Sequence, residues 1–240
     1  MSIKPLSNIF LSAFLSVGAT AGGWAITSKL ASDAAAISFL YFSIPIVIGV
    51  LTLQAVLLTK IKDRACYLLL FNISATFGVL WMMSCLVLPL FWMESIAVSI
   101  KTLTIWFSTI LFYLNIKRGR CIFRVRWESV GEKLLGDYYK SDRGIINWMG
   151  VVSSLKLPLS VYIPGIPKKS EPILTAVLVI SMLAGLSFRK IFPEFSVFAW
   201  GIPSIVCIAT IFQMVGCIIG QLSILRELER KDRKAIRICS

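Results

Sequence analysis

Gln54, Asn72 and Gln213 are polar side chains placed inside long apolar stretches, and Gln221 sits near the inner edge of the same stretch as Gln213. An amide in hydrocarbon both donates and accepts hydrogen bonds. It can tie helices together or line a path for a solute. A path for ions or protons usually calls on buried Asp, Glu, Lys, Arg or His. This sequence has no His, and no pair of carboxylates falls within an apolar stretch. The amides are therefore read as bonds between helices, each worth about 0.6 kcal/mol.

Two G-x-x-x-G pairs, Gly18/Gly22 and Gly216/Gly220, also lie inside apolar stretches. Glycines four apart flatten one helix face and let another backbone approach closely. The expectation is helix packing, within the molecule or with a partner. Ser12, Ser16 and Thr20 form a second stripe of small residues beside the first pair.

Arg118, Arg120, Arg124 and Arg126 alternate with Cys121, Phe123, Val125 and Trp127, with Ile122 the one misfit. Period-two alternation predicts a half-buried strand or an extended segment lying on a surface. The four arginines could hold anionic headgroups at about 1 kcal/mol per basic residue, or dock an acidic partner.

Catalytic motifs are missing: neither G-x-S-x-G nor G-x-x-x-x-G-K-[ST] occurs. Cys66, Cys85, Cys121, Cys207, Cys217 and Cys239 form no C-x-x-C pair, and without His a zinc site would need four converging thiolates. Neither a metal nor any other cofactor is expected, and an enzyme is not the favoured reading.

Composition explains what must position these groups. Hydrophobic residues make up 57% of the chain, charged residues 15%, and mean hydropathy is +0.82. A soluble domain has about 25% charged residues. The apolar residues fall into six runs: about Leu6–Thr27, Ala34–Thr59, Ala65–Trp92, Ile96–Ile116, Ile173–Phe188 and Phe195–Leu225. A membrane-spanning helix needs about 17–25 residues. The first run also resembles a secretory signal, with Ala19-Thr20-Ala21 as a cleavage site. Its apolar character continues through Trp24 and Ile26, so an uncleaved helix is preferred. Pro45 should kink the second run. The brief turn at Glu94-Ser95 predicts that the third and fourth runs are adjacent and antiparallel. Lys101 could pair with Glu94 or snorkel outward.

The segment from about Lys117 to Pro172 cannot sit in a bilayer. It holds Lys117, Arg118, Arg120, Arg124, Arg126, Lys133, Lys140, Arg143, Lys156, Lys168 and Lys169. Within it, Ser129-x-x-Glu132 predicts a capped helix to about Lys140, with Val130, Leu134, Leu135 and Tyr138 on one face. Asp142-Arg143-Gly144 reads as a turn. The apolar patch Ile145–Val152 is too short to span and should lie in the interface or pack under the helices. Pro158, Pro164, Pro167 and Pro172 make the remainder an irregular connector.

Positive charge orients such a chain, because cytoplasmic loops carry the excess Lys and Arg. With six spans and both termini inside, only Lys29, Lys101, Arg189 and Lys190 of the 25 Lys and Arg fall outside. A seventh span near residues 145–166 would bury Lys156, at about 2.5–3.5 kcal/mol. The net charge of +13 is thus explained by topology, without nucleic acid.

The expected architecture is an all-α integral membrane protein. Six transmembrane helices are arranged four plus two, with a basic amphipathic cytoplasmic insert between helices 4 and 5. The parts are 1–116, the insert 117–172, the pair 173–225 and a basic tail 226–240. Such a chain is expected in a bacterial inner membrane, in contact with membrane lipids. It is expected to work by binding another membrane protein or by self-association, as a subunit of a secretion or conjugation machine or as an immunity or exclusion protein. A transporter or channel for a small neutral or anionic solute is the alternative, and a lipid-acting enzyme the third.

Overall fold

A computed structural model of the chain describes residues 5–61, 64–140, 144–158 and 160–238. Lys4, Lys62, Asp63, Cys239 and the Asp142-Arg143 part of the expected turn lie outside the described residues. Six helical segments are long and apolar enough to cross a membrane. They are α1 (Pro5–Leu30), α2 (Asp33–Lys60), the three pieces α3 (Ala65–Ala75), α4 (Phe77–Val87) and α5 (Pro89–Trp92), then α6 (Val98–Tyr138), α8 (Glu171–Phe188) and α9 (Pro193–Asp232). The described residues also form a short α7 (Trp148–Leu155), a 3-10 turn (Lys168–Ser170) and three two-residue strands: β1 (Tyr139–Lys140), β2 (Ile145–Ile146) and β3 (Arg237–Ile238).

Local chemistry sets the boundaries. Ser32 caps α2 by accepting the Ala35 N–H at 3.1 Å, satisfying one of the donors a helix start leaves free. α2 passes through Pro45 without losing helical assignment. The third span breaks at Thr76, whose hydroxyl donates to the Ile73 carbonyl at 2.7 Å, and again before Pro89, which has no N–H to donate.

α9 is the central helix. It packs against α4 on one side, α6 on another and α8 on a third, while α1 and α2 close the bundle behind α4. This corrects the expected adjacency of the third and fourth spans, since α9 is wedged between them. A short turn fixes only where two helices meet at their ends. The bodies diverge because α9 presents Ala209, Gly216 and Gly220 and can be approached closely. The last span pairs with α8 and also packs against α4 and α6.

The Arg118–Arg126 stretch is helix, not strand. α6 runs unbroken for 41 residues, about 60 Å at the usual rise, and so crosses the 116/117 division. Backbone hydrogen bonds continue the helix at no extra nucleation cost, and the alternation of Arg with apolar residues does not outweigh that. A turn of 100° per residue puts Arg120 and Arg124 on one face and Arg118 and Arg126 on another. Val125, inward in a strand, is 61% exposed. Ser129 is not a cap either: its hydroxyl donates to the Arg126 carbonyl within the helix.

At the end of the molecule where basic residues cluster, the insert and the tail form one unit. β1 pairs antiparallel with β2, and β2 pairs parallel with β3. Ile146, Trp148, Val151, Leu155 and Ile236 are buried with Phe123 and Leu225. Val130, Leu134, Leu135 and Tyr138 pack on that core, so the apolar face read from the sequence is used. α9 does continue to Asp232 as the sequence suggested. Beyond it the chain turns back: the Ile236 carbonyl accepts the Ala65 N–H at 2.8 Å, and the Arg237 N–H donates to the Gly144 carbonyl at 2.8 Å.

Candidate functional site

α6 and α9 cross in parallel at their closest point, and the site is built there. A Cβ on Gly119 would overlap the Gln213 carbonyl oxygen, and one on Gly216 would overlap the Ile116 carbonyl oxygen. No flexible side chain intervenes, so neither position can give way. Cys217 adds a thiol hydrogen bond to the Gly119 carbonyl at 3.2 Å. Gly220 lies against the Phe123 ring. The second glycine pair is thus spent on internal packing.

Just above this crossing, two buried amides hold the irregular connector. Asn115 is 0% exposed. Its Nδ2 donates to the Tyr162 carbonyl at 2.8 Å and its Oδ1 accepts the Tyr162 N–H at 3.0 Å. One side chain therefore satisfies both backbone groups of Tyr162, as a neighbouring strand would. Gln213, also 0% exposed, accepts the Ser160 N–H through Oε1 at 3.1 Å. Val161 and Ile163 pack against Val87, Leu111, Ile205 and Ala209. Asn115 lies 17 residues into α6, about 25 Å along a helix long and apolar enough to cross a hydrocarbon layer of about 30 Å. Non-helical backbone at that depth must be satisfied by protein, and these amides do so.

Arg118 is one turn beyond Asn115 and covers the same residue from the other side. Its guanidinium carbon stands 4.7 Å from the centre of the Tyr162 ring. Its Nε is buried and, among the described residues, has no hydrogen-bond partner. A cavity of about 150 Å³ opens beside it, lined by Arg118, Tyr162, Ile163, Ile166, Glu171 and Leu174, among others.

The remaining predicted residues divide. Gln54, 0% exposed, ties three spans: its Nε2 donates to Ser12 Oγ at 3.0 Å and to the Ser74 carbonyl at 2.7 Å. Gln221 accepts from Trp148 Nε1 at 3.0 Å. Asn72 is half-buried and its amide makes no hydrogen bond among the described residues. Arg126 donates to the Leu155 carbonyl at 3.0 Å, at the end of α7. Arg124 pairs with Glu128 at 3.0 Å, both largely exposed, a contact worth a few tenths of a kcal/mol. Arg120 and Arg124 line a groove with Phe123, Trp127 and Glu227. Among the described residues no other ion pair falls within 4.0 Å, so Lys101 does not pair with Glu94. Those residues also contain no group of three or more His, Cys, Asp or Glu able to hold a metal.

Gly18 and Gly22 behave differently from Gly216 and Gly220. A Cβ at either would meet nothing within 4 Å. The buried stripe of α1 is instead Ser12, Ser16, Thr20 and Thr27, with Thr20 Oγ1 accepting from Trp81 Nε1 at 2.9 Å.

Asn115 is the residue that sequence reasoning missed. It stands at the last turn of an apolar run, where a polar side chain raises no question. The signal was in the connector: Val161-Tyr162-Ile163 between Pro158 and Pro164 is apolar, so it needs cover, and its backbone needs partners. Asn115→Ala is expected to leave the Tyr162 N–H and carbonyl unpaired in an apolar setting. At about 1–3 kcal/mol per group, the expected loss is roughly 2–6 kcal/mol. It should appear as a lower thermal midpoint in detergent and as new protease cutting between residues 156 and 167.

Comparison with known protein families, with curated proteins and with solved structures finds no significant match.

Proposed function

We propose that this is a polytopic inner-membrane protein that acts by binding another membrane protein, with the exposed face of α1 as the docking surface. The observation that carries the reading is the open Gly18/Gly22 face. The other glycine pair is consumed by the α6–α9 crossing, and the polar stripe of α1 is consumed by α2 and α4. The Gly18/Gly22 face touches nothing and is flanked by Phe14, 76% exposed, and Val17, 61% exposed. Small residues beside a large apolar one give a partner helix both close approach and a ridge to pack on. The basic end, with the insert and tail, faces the cytoplasm in this reading, as the distribution of Lys and Arg requires. A secretion or conjugation subunit, or an immunity or exclusion protein, fits this profile.

Binding is preferred to transport because Gln54 and Gln213 are fully buried and bonded to Ser12, Ser74 and Ser160. Among the described residues Gln54 Oε1 and Gln213 Nε2 have no hydrogen-bond partner, but both side chains are 0% exposed and so closed to a solute. Nothing in the geometry favours a catalytic step.

The test is substitution of Gly18 and Gly22 by Ile, followed by purification in mild detergent and mass spectrometry of what accompanies the chain. The expected result is at least about a tenfold loss of the co-purifying membrane protein, with normal accumulation of the variant itself. An unchanged partner yield, or solute flux by the wild-type chain in liposomes with no partner at all, would remove the proposal.

A further inference from the structure

We propose that the cavity between Arg118 and Glu171 binds the phosphoethanolamine headgroup of an aminophospholipid, phosphate to Arg118 and ammonium to Glu171. The inference is independent of the docking face on α1.

The first reason is the state of Arg118. Its Nε is buried with no acceptor among the described residues, and a buried donor without a partner is costly. The Tyr162 ring below it supplies a cation–π contact but no lone pair in the guanidinium plane. An acceptor with two oxygens is what the planar fork of an arginine matches best. The second reason is Glu171. Its carboxylate lines the same cavity, yet the two side chains make no ion pair within 4.0 Å. One wall of the cavity is cationic and another anionic, with a gap between them. A ligand carrying both charges fills that gap, whereas a simple anion would meet the carboxylate.

Depth selects a lipid. Arg118 lies 20 residues from the start of α6, about 30 Å along the helix. That is the thickness of the hydrocarbon layer, so its guanidinium stands at headgroup level. Glu171 begins the 18-residue α8, and is therefore at the same level. Ile163, Ile166 and Leu174 complete the cavity, and α8 continues away from it with Ile173 and Val177 exposed, a surface for an acyl chain. A primary ammonium can donate hydrogen bonds to the Glu171 carboxylate, which a trimethylated one cannot.

Native mass spectrometry of the full-length protein in detergent tests this, with phosphatidylethanolamine, phosphatidylglycerol and phosphatidylcholine of identical acyl chains. The wild type should retain phosphatidylethanolamine about tenfold better than the other two, the difference one charge-assisted contact makes. Glu171→Gln should abolish the preference while leaving phosphatidylglycerol bound. Arg118→Gln should lose all three. Should that variant accumulate poorly, Glu171→Gln alone decides the matter. Equal retention of the three lipids by the wild type, or an undiminished preference in Glu171→Gln, would overturn the assignment. So would displacement of the lipid by soluble glycerophosphoethanolamine at equal concentration, which would mean that the acyl chains play no part.

Discussion

Gly216→Val is expected to be, with Gly119→Val, among the most damaging single substitutions in the membrane part of this chain. Its Cβ would occupy the place of the Ile116 carbonyl oxygen, and backbone cannot rotate away as a side chain can. Overpacking usually costs about 1–3 kcal/mol, sometimes more. Here the two helices would have to separate, which also parts Cys217 from Gly119 and draws Gln213 from Ser160. A loss of at least about 3 kcal/mol is expected, a fall in thermal midpoint of roughly 10 °C for a chain of this size. Tryptophan fluorescence in detergent measures it. Gly18→Val is the internal control: with nothing within 4 Å of its Cβ, it should stay within about 0.5 kcal/mol of wild type. Equal midpoints for the two variants would show that the α6–α9 crossing does not determine stability.

Trp148→Ala is expected to dissolve the basic end while sparing the spans. Trp148 is 1% exposed, packs against Trp127 with the rings tilted by 35° and 6.0 Å between centres, and donates to Gln221. A buried Trp replaced by Ala costs about 3–5 kcal/mol, and the Gln221 amide also loses its partner. The sheet there has three strands of two residues each, too short to persist without the core beneath it. Trypsin should then cut at Lys140 and Lys156 many times faster, while far-ultraviolet circular dichroism keeps its helical signal. Cutting at an unchanged rate would mean that α7 is held by something other than its tryptophan.

These two variants mark what could and could not be read in advance. Each of the six spans was visible as an apolar run, because hydrocarbon demands a continuous stretch of apolar residues whatever the neighbours are. The Gly216/Gly220 pair was visible too, though not its use. Sequence spacing identifies a face that can be approached and leaves open which helix approaches it, so the two glycine pairs looked alike. The Arg118–Arg126 stretch misled because Arg at four of five alternate positions, Ile122 being the exception, suits a strand on paper, while a helix already running at Ile116 continues without a new nucleus.

The sequence by itself determined that this chain is built for a membrane and where its positive charge lies. Both follow from composition along the chain, which every arrangement of the helices must respect. Only the tertiary structure decided that α9 is central, that the tail returns to the insert, and that Asn115 and Arg118 meet at Tyr162. Those facts depend on which surfaces touch. That is settled by shape at a few glycines and by the need to satisfy buried backbone, and neither leaves a periodic trace in the chain.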